Sequence, residues 1–358
     1  EGFFIIYRKG YNIINMKKNR LCFFLIMFLI LSIGLTGCNY ETAYIEEDYK
    51  DKLVVHFIDV GQGDSTFIQF PNGETSLIDG GTRKSGDKVV KYLQDLGIEK
   101  INYLIATHPH EDHIGGLPEV IRNFAIDQIY MPDKSANTNI FEELLKEIKN
   151  KNLKITLAEG GDSIIEEEKL KFTILAPNRE DYAETNDFSI VNKIEYMDTS
   201  FTFTGDAEKD SEMDILDKNY NLKSNVLKIG HHGGRTSSSE EFLKRVDPNY
   251  CIISVGEDNS YGHPHKETLD RLNKLDSNIM RTDELGDIVI ISNGRELTIT
   301  EKIFAEVKTE ASYIGNKNTK VFHTKDCKSL PKEENRIFFR SLEEAKNNGY
   351  KPHENCVK

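Results

Sequence analysis

Positive charge is scarce in this chain of 358 residues: 46 Lys and Arg face 59 Asp and Glu, for a net charge of −13. The imbalance is steeper beyond the first segment, because Arg8, Lys9, Lys17, Lys18 and Arg20 oppose only Glu1 and leave −17 on residues 38–358. That counts against a broad basic surface able to displace counterions from nucleic acid, but not against a substrate phosphate held through metal ions. Long apolar runs are also missing. The uncharged stretch Leu21 to Leu35 falls short of the ~20 residues that a membrane-crossing helix needs. Residue 1 is not Met, and residues 1–15 precede the basic segment Met16-Lys-Lys-Asn-Arg20; they are expected to lie outside the natural chain. With 29% charged and 38% hydrophobic residues, the remainder has the composition of an ordinary globule. The length allows about two domains, or one large α/β sandwich that uses most of the chain.

What is present is concentrated chemistry. The stretch Leu104-Ile-Ala-Thr-His-Pro-His-Glu-Asp-His-Ile-Gly-Gly-Leu117 runs from an apolar strand into three imidazoles and a carboxylate. A loop leaving a buried strand fans alternate side chains, so His108 and His110 can reach one cation while Asp112 and His113 turn toward a second. Gly115-Gly116 allows close backbone packing before the next helix. Further along lie Asp59-Val-Gly-Gln-Gly-Asp-Ser65, Leu77-Ile-Asp-Gly-Gly81, Phe203-Thr-Gly-Asp206, Lys228-Ile-Gly-His-His-Gly-Gly234 and Tyr261-Gly-His-Pro264.

In that order these motifs resemble the hydrolase domain of ComEC-type competence proteins, with His108-x-His110-x-Asp112-His113 similar to the HxHxDH signature of the metallo-β-lactamase fold. The resemblance covers about residues 53–300 and implies an αββα sandwich of class α/β. It also implies that Asp206, at the end of an apolar strand, bridges two cations; the competing reading makes it the N-cap of a helix at 207–218. Adjacent histidines at a strand end point different ways, and the expectation places His232 on metal and His231 against the scissile group, with the reverse left open. His263 matches a recurrent family position and is expected to support the site or act as a general acid; His265 reads as a surface histidine. Arg235, Thr236 and Ser237 stand either as contacts to an anionic oxygen or as solvated loop residues. Asp59, Asp64 and Asp79 are expected chiefly to cap turns, with a secondary part in orienting a ligand. No histidine lies between His113 and His231. Metallo-β-lactamases proper place a ligand there, whereas the resembling domains carry a polar segment, here Asn186-Asp-Phe-Ser189. A first site completed by one of these side chains or by water suits a harder ion such as Mn²⁺.

The coarse reading places strands at 53–60, 65–70, 75–78, 101–106, 126–131, 154–158, 170–176, 190–197, 199–206, 225–230 and 251–255, with helices at 84–96, 118–124, 140–149, 207–218 and 239–245. A closing hairpin is expected at 287–300 around Asn293-Gly294. Cys251 reads as a small core residue.

The ends carry separate signals. The basic segment, the apolar run and Leu35-Thr-Gly-Cys38 resemble a bacterial lipoprotein signal, with lipidation at Cys38; an uncleaved anchor is the alternative, and both place the rest outside the cytoplasm on the cell membrane. Residues 38–52 form an acidic tether, 53–301 the hydrolase domain and 302–312 a charged linker. Residues 313–358 resemble an Ada-type metal-binding module. His323, Cys327, His353 and Cys356 have spacings compatible with one structural Zn²⁺, although that family has cysteine where His353 stands; a Cys327–Cys356 disulfide is the rival staple.

The functional expectation is an exported, lipid-anchored metallohydrolase that acts on a phosphodiester, DNA or RNA among them. Two divalent ions (Zn or Mn) held by His108, His110, Asp112, His113, Asp206 and His232 would lower the pKa of a water toward ~7, with Asp112, His231 and His263 as the catalytic groups. The alternatives are hydrolysis of another ester or amide, a lactam included, and a non-catalytic surface protein that binds metal.

Overall fold

The computed structural model describes residues 49–300, 313–332, 335–339, 342–354 and 356–357. The signal segment, Cys38, most of the tether and the 302–312 linker lie outside the described residues. Among the described residues no helix is long and apolar enough to cross a membrane.

The first sheet begins as the antiparallel meander β1 (Leu53–Phe57), β2 (Thr66–Gln69) and β3 (Thr75–Ile78), as the Gly61-Gln-Gly63 and Pro71-Asn-Gly73 punctuation implies. Parallel pairing then adds β4 (Lys100–Ile105), β5 (Ala125–Met131) and β6 (Ile155–Leu157). The second sheet contains β7 (Ser163–Glu166), β8 (Leu170–Ala176), β9 (Val191–Tyr196), β10 (Thr199–Phe203), β11 (Val226–Lys228), β12 (Tyr250–Ile253) and β13 (Asn278–Arg281). The chain returns through β14 (Ile288–Ser292) and β15 (Leu297–Thr300), which pair as a hairpin and join β1 at the free side of the first sheet.

Strands whose residues are almost all buried require cover on both faces, and three apolar layers supply it. Leu53, Val55 and Phe57 point into an intersheet core with Phe172, Ile194, Phe201 and Ile252. From the same strand Val54 points outward to Leu93 of α1 (Gly86–Asp95), Leu117 and Ile121 of α3 (Leu117–Asn123) and Leu144 of α4 (Asn139–Asn150). The short helix α2 (Glu111–Ile114) carries the end of the histidine motif. On the far side Leu227, Ile229 and Cys251 pack on Ile215 of α5 (Lys209–Asp217), Phe242 and Val246 of α6 (Glu240–Val246) and Leu272 of α7 (Lys266–Leu272). Layered helix, sheet, sheet and helix make the metallo-β-lactamase sandwich; Cys251 is the small core residue expected.

Within the two sheets of the sandwich, β7 and β13 have no counterpart in the sequence reading. They are the two edges of the second sheet, and edge strands with an exposed side carry little apolar alternation. Asp206 does not cap α5. That helix starts from Glu208, and its first amides are met by Asp187 Oδ1, which accepts from Glu208 N at 3.1 Å and Ser211 N at 3.0 Å.

Candidate metal centre

Five strand ends deliver the site. β3 runs parallel to β4, and β10, β11 and β12 run parallel to one another. Just past their carboxyl ends come Asp79, the 108–113 motif, Asp206, the His231-His232 pair and Ser254, the side on which open α/β sheets present ligand-binding groups. The loops interlock: Asp64 N donates to Asp112 O at 3.1 Å and Gly80 N to His113 O at 2.8 Å. A Cβ at Gly63 would collide with Asp112 O and one at Gly116 with Gly80 O, so these approaches require glycine.

Asp206 sits at the centre, 2% exposed. Its Oδ2 lies 3.2 Å from His113 Nε2, 3.6 Å from His232 Nε2, and 3.9 Å from both His108 Nε2 and His231 Nε2. His232 Nε2 is also 3.2 Å from Asp112 Oδ2, and His108 Nε2 is 3.0 Å from His110 Nδ1. The structure therefore brings all six expected ligands into one cluster. Asp64, expected mainly to cap a turn, joins it: single ligand atoms from Asp64, His113, Asp206 and His232 all lie within 4.8 Å of one another. Asp206 Oδ1 is buried without a hydrogen-bond partner, and a buried orphan acceptor amid imidazoles and carboxylates is a donor set that fits divalent cations.

Groups behind the imidazoles aim them. Asp79 accepts from Thr107 N at 2.8 Å and Thr107 Oγ1 at 2.7 Å and lies 2.8 Å from His113 Nδ1. His232 Nδ1 is 3.0 Å from Ser254 O. Ser189 Oγ is 3.2 Å from His108 Nδ1 while accepting from Asp206 N at 3.1 Å. Each Nδ1 is thus engaged and each Nε2 turned inward, the arrangement that orients metal-binding histidines. Ser189 acts from behind His108, while Asn186 donates to Glu208 Oε1 at 2.9 Å. Asp59 caps its own turn, accepting from Gly61 N at 3.0 Å.

The paired histidines do diverge. His232 is 1% exposed and faces Asp112 and Asp206, whereas the His231 side chain is 27% exposed with Nδ1 3.0 Å from Glu208 Oε1. Both adopt left-handed backbone, at φ 51° and 52°, a conformation that costs non-glycine residues about 1–3 kcal/mol each and concentrates at functional sites. The His263 ring stands 5.2 Å from that of His231 and 6.1 Å from that of His232. His265 accepts from Arg235 N at 3.2 Å and lies 3.1 Å from Arg235 Nη2. Arg235 and Thr236 are exposed, but Ser237 is buried.

Charge in the cluster is finely opposed. Burial resists protonation of His232, yet Asp206 and Asp64 outweigh it and raise its pKa to about 10. His113 is likewise raised well above its usual value against burial, by Asp206 and Asp79. Burial together with the neighbouring His113 holds His108 well below its ordinary value, and burial with His232 and His231 lowers His263 to about 4.

Residues 58–257 match the metallo-β-lactamase superfamily. The chain belongs to that superfamily. Residues 306–358 match the metal binding domain of Ada. Among curated relatives of this superfamily member, ComE operon protein 3 of Bacillus subtilis is 32% identical over 65% of the chain, and Recombination protein 2 of Haemophilus influenzae is 29% identical over 79%. Competence protein ComA of Neisseria gonorrhoeae is 27% identical over 66%. The matched regions span only about a third of those relatives, 32%, 34% and 32% of their lengths.

In the C-terminal module β16 (Tyr313–Asn316), β17 (Val321–Thr324), β18 (Arg336–Phe339) and β19 (Lys351–Pro352) form one small sheet, which packs with Ala345 and Tyr350 around Phe322 and Phe339. His323 Nδ1 lies 3.3 Å from Cys327 Sγ, and His353 Nδ1 lies 3.2 Å from Cys356 Sγ and 3.6 Å from Cys327 Sγ. Both cysteines are free thiols, and the four donors converge within 4.8 Å. The arrangement is a cage of the S₂N₂ type that suits zinc, not a disulfide.

Several supporting groups escaped the sequence reading, Ser254 behind His232, Glu208 beside His231 and Lys228 among them. Lys228, 2% exposed at the end of β11, forms an ion pair with Asp64 that joins the two sheets beneath the ligands. Its signal was a lone charge inside the apolar run Asn225–Gly230. Breaking a buried pair strands a charge. Lys228→Met is expected to lower stability by about 3–5 kcal/mol in urea melts of chelator-treated protein, with Asp64→Asn in the same chain recovering most of it; an equal loss in the double variant would contradict the pairing. The raised pKa of His232 carries a second expectation. In chelator-treated protein this imidazole holds a proton at neutral pH that a cation must displace, so metal binding releases protons and tightens as pH rises. Calorimetric titration with Mn²⁺ in two buffers of different ionisation heat measures the release, and identical heats in both would refute it.

Proposed function

We propose that this chain is an exported, lipid-anchored, metal-dependent phosphodiesterase that cleaves nucleic acid. The observation that carries the reading is the single cluster of His108, His110, Asp112, His113, Asp206 and His232, with a buried unpaired oxygen on Asp206. These six residues would hold two divalent cations, Zn²⁺ or Mn²⁺, which supply an activated water and positive charge for an expanding phosphorus centre. Relatives named for competence and recombination favour nucleic acid as the polymer. Export and the anchor rest on the signal-like segment ending in Cys38, and a Zn²⁺ in the four-donor cage is the staple assigned to the small module.

The chain's own residues have distinct tasks. Asp79, Ser254 and Ser189 keep His113, His232 and His108 in their orientations, so little reorganisation remains for the reaction itself. Asp206 is shared among the imidazoles, and Asp112 lies at the accessible side. His231, half-buried and beside Glu208, would hydrogen-bond a phosphate oxygen, and His263 next to it, held neutral by burial and the neighbouring histidines, would act as a hydrogen-bonding partner or proton acceptor.

The test uses full-length protein purified in detergent without chelator, given Mn²⁺ or Zn²⁺ with single-stranded DNA, duplex DNA, RNA or bis-p-nitrophenyl phosphate. Metal-dependent cleavage of a polymer is expected, abolished by chelator and by Asp112→Ala. Cleavage of the small diester alone would move the substrate away from nucleic acid, and no hydrolysis by metal-loaded protein would overturn the enzymatic reading.

A further inference from the structure

We propose that Tyr261 is a stacking platform for an unpaired base next to the scissile phosphate, which makes single-stranded nucleic acid the preferred polymer. This rests on the phosphodiesterase reading above. Tyr261 is 65% exposed, the most solvent-open of the exposed large apolar residues among the described residues. Its ring lies parallel to that of His263, at a centroid distance of 5.8 Å and an interplanar angle of 23°. His263 in turn stands 5.2 Å from His231, whose Nε2 is 3.9 Å from Asp206. A row of rings therefore leads from Asp206 through His231 and His263 to an open aromatic face.

The loop that carries this ring is fixed before any ligand arrives. Asn259 Nδ2 donates to Gly256 O at 3.0 Å and His263 O at 2.7 Å, and Asn259 Oδ1 accepts from His263 N at 3.0 Å. Gly262, with φ +73°, supplies the left-handed turn that sets Tyr261 beside His263. A prearranged exposed aromatic loses little freedom on binding. With a net charge of −13 the chain cannot draw much affinity from counterion release, whereas base stacking depends on a π face and tolerates any sequence. Exposed Arg235, held by His265 next to His263, adds a cation for one backbone phosphate. In a duplex both faces of a base are already stacked, so only an unpaired or terminal base can use the tyrosine.

The test compares wild type, Tyr261→Ala and Tyr261→Phe in full-length, Mn²⁺-loaded protein. The substrates are a labelled oligothymidylate and a strand of the same length made of abasic residues, which keeps the phosphates and removes the bases. Cleavage gives kcat and KM, and anisotropy gives binding. For Tyr261→Ala, KM for oligothymidylate is expected to rise about tenfold or more, with kcat and all parameters for the abasic strand unchanged; Tyr261→Phe should behave as wild type. An unchanged KM, or an equal loss on both strands, would overturn the platform. Binding that depends on Tyr261 without cleavage would support the platform while refuting the nuclease reading, and neither binding nor cleavage would refute both.

Discussion

A buried carboxylate surrounded by imidazoles is the constraint on which this protein depends. Asp206 is almost wholly removed from water, and burial alone would force it to take a proton. His113, His232 and His108 keep it ionised, and Asp79 and Asp64 hold two of those rings from behind. Each partner is charged or polar and itself buried, so none is tolerable alone. The cluster makes sense as a unit whose negative oxygen and inward-facing ring nitrogens await cations.

The sandwich exists in the form that brings these groups together. Asp79 and the histidine motif come from the first sheet; Asp206, His232 and Ser254 come from the second. The intersheet core of aromatic and branched residues fixes the distance between the two sets. The Asp64–Lys228 pair ties the sheets directly beneath the ligands. Glycines at 63 and 116 then allow loops from different strands to come closer than any side chain would permit. Packing, backbone chemistry and site geometry are thus parts of one arrangement.

Much of this was legible in the chain. Apolar runs, alternation and helical periodicity located β8, β9, the closing hairpin and most helices within a residue or two. The clustered residues stood out because imidazoles and carboxylates rarely crowd the ends of apolar strands. The partners across long separations did not: Asp79 meets His113 34 positions away, and Asp64 meets Lys228 164 positions away. Local patterns carry no such register, so Asp64 and Asp79 looked chiefly like turn caps. Ser189 illustrates the same limit, since its hydroxyl meets His108 Nδ1 across 81 positions.

The cluster around Asp206 reads as a metal centre built in advance by the fold. Anomalous diffraction from crystals of the full-length protein loaded with Mn²⁺ tests it most directly. Two anomalous peaks that share Asp206 are expected, one on the side of His108 and His110 and the other on the side of Asp112 and His232. An absence of peaks at these residues, or a lone ion held by Asp64 away from Asp112, would contradict it.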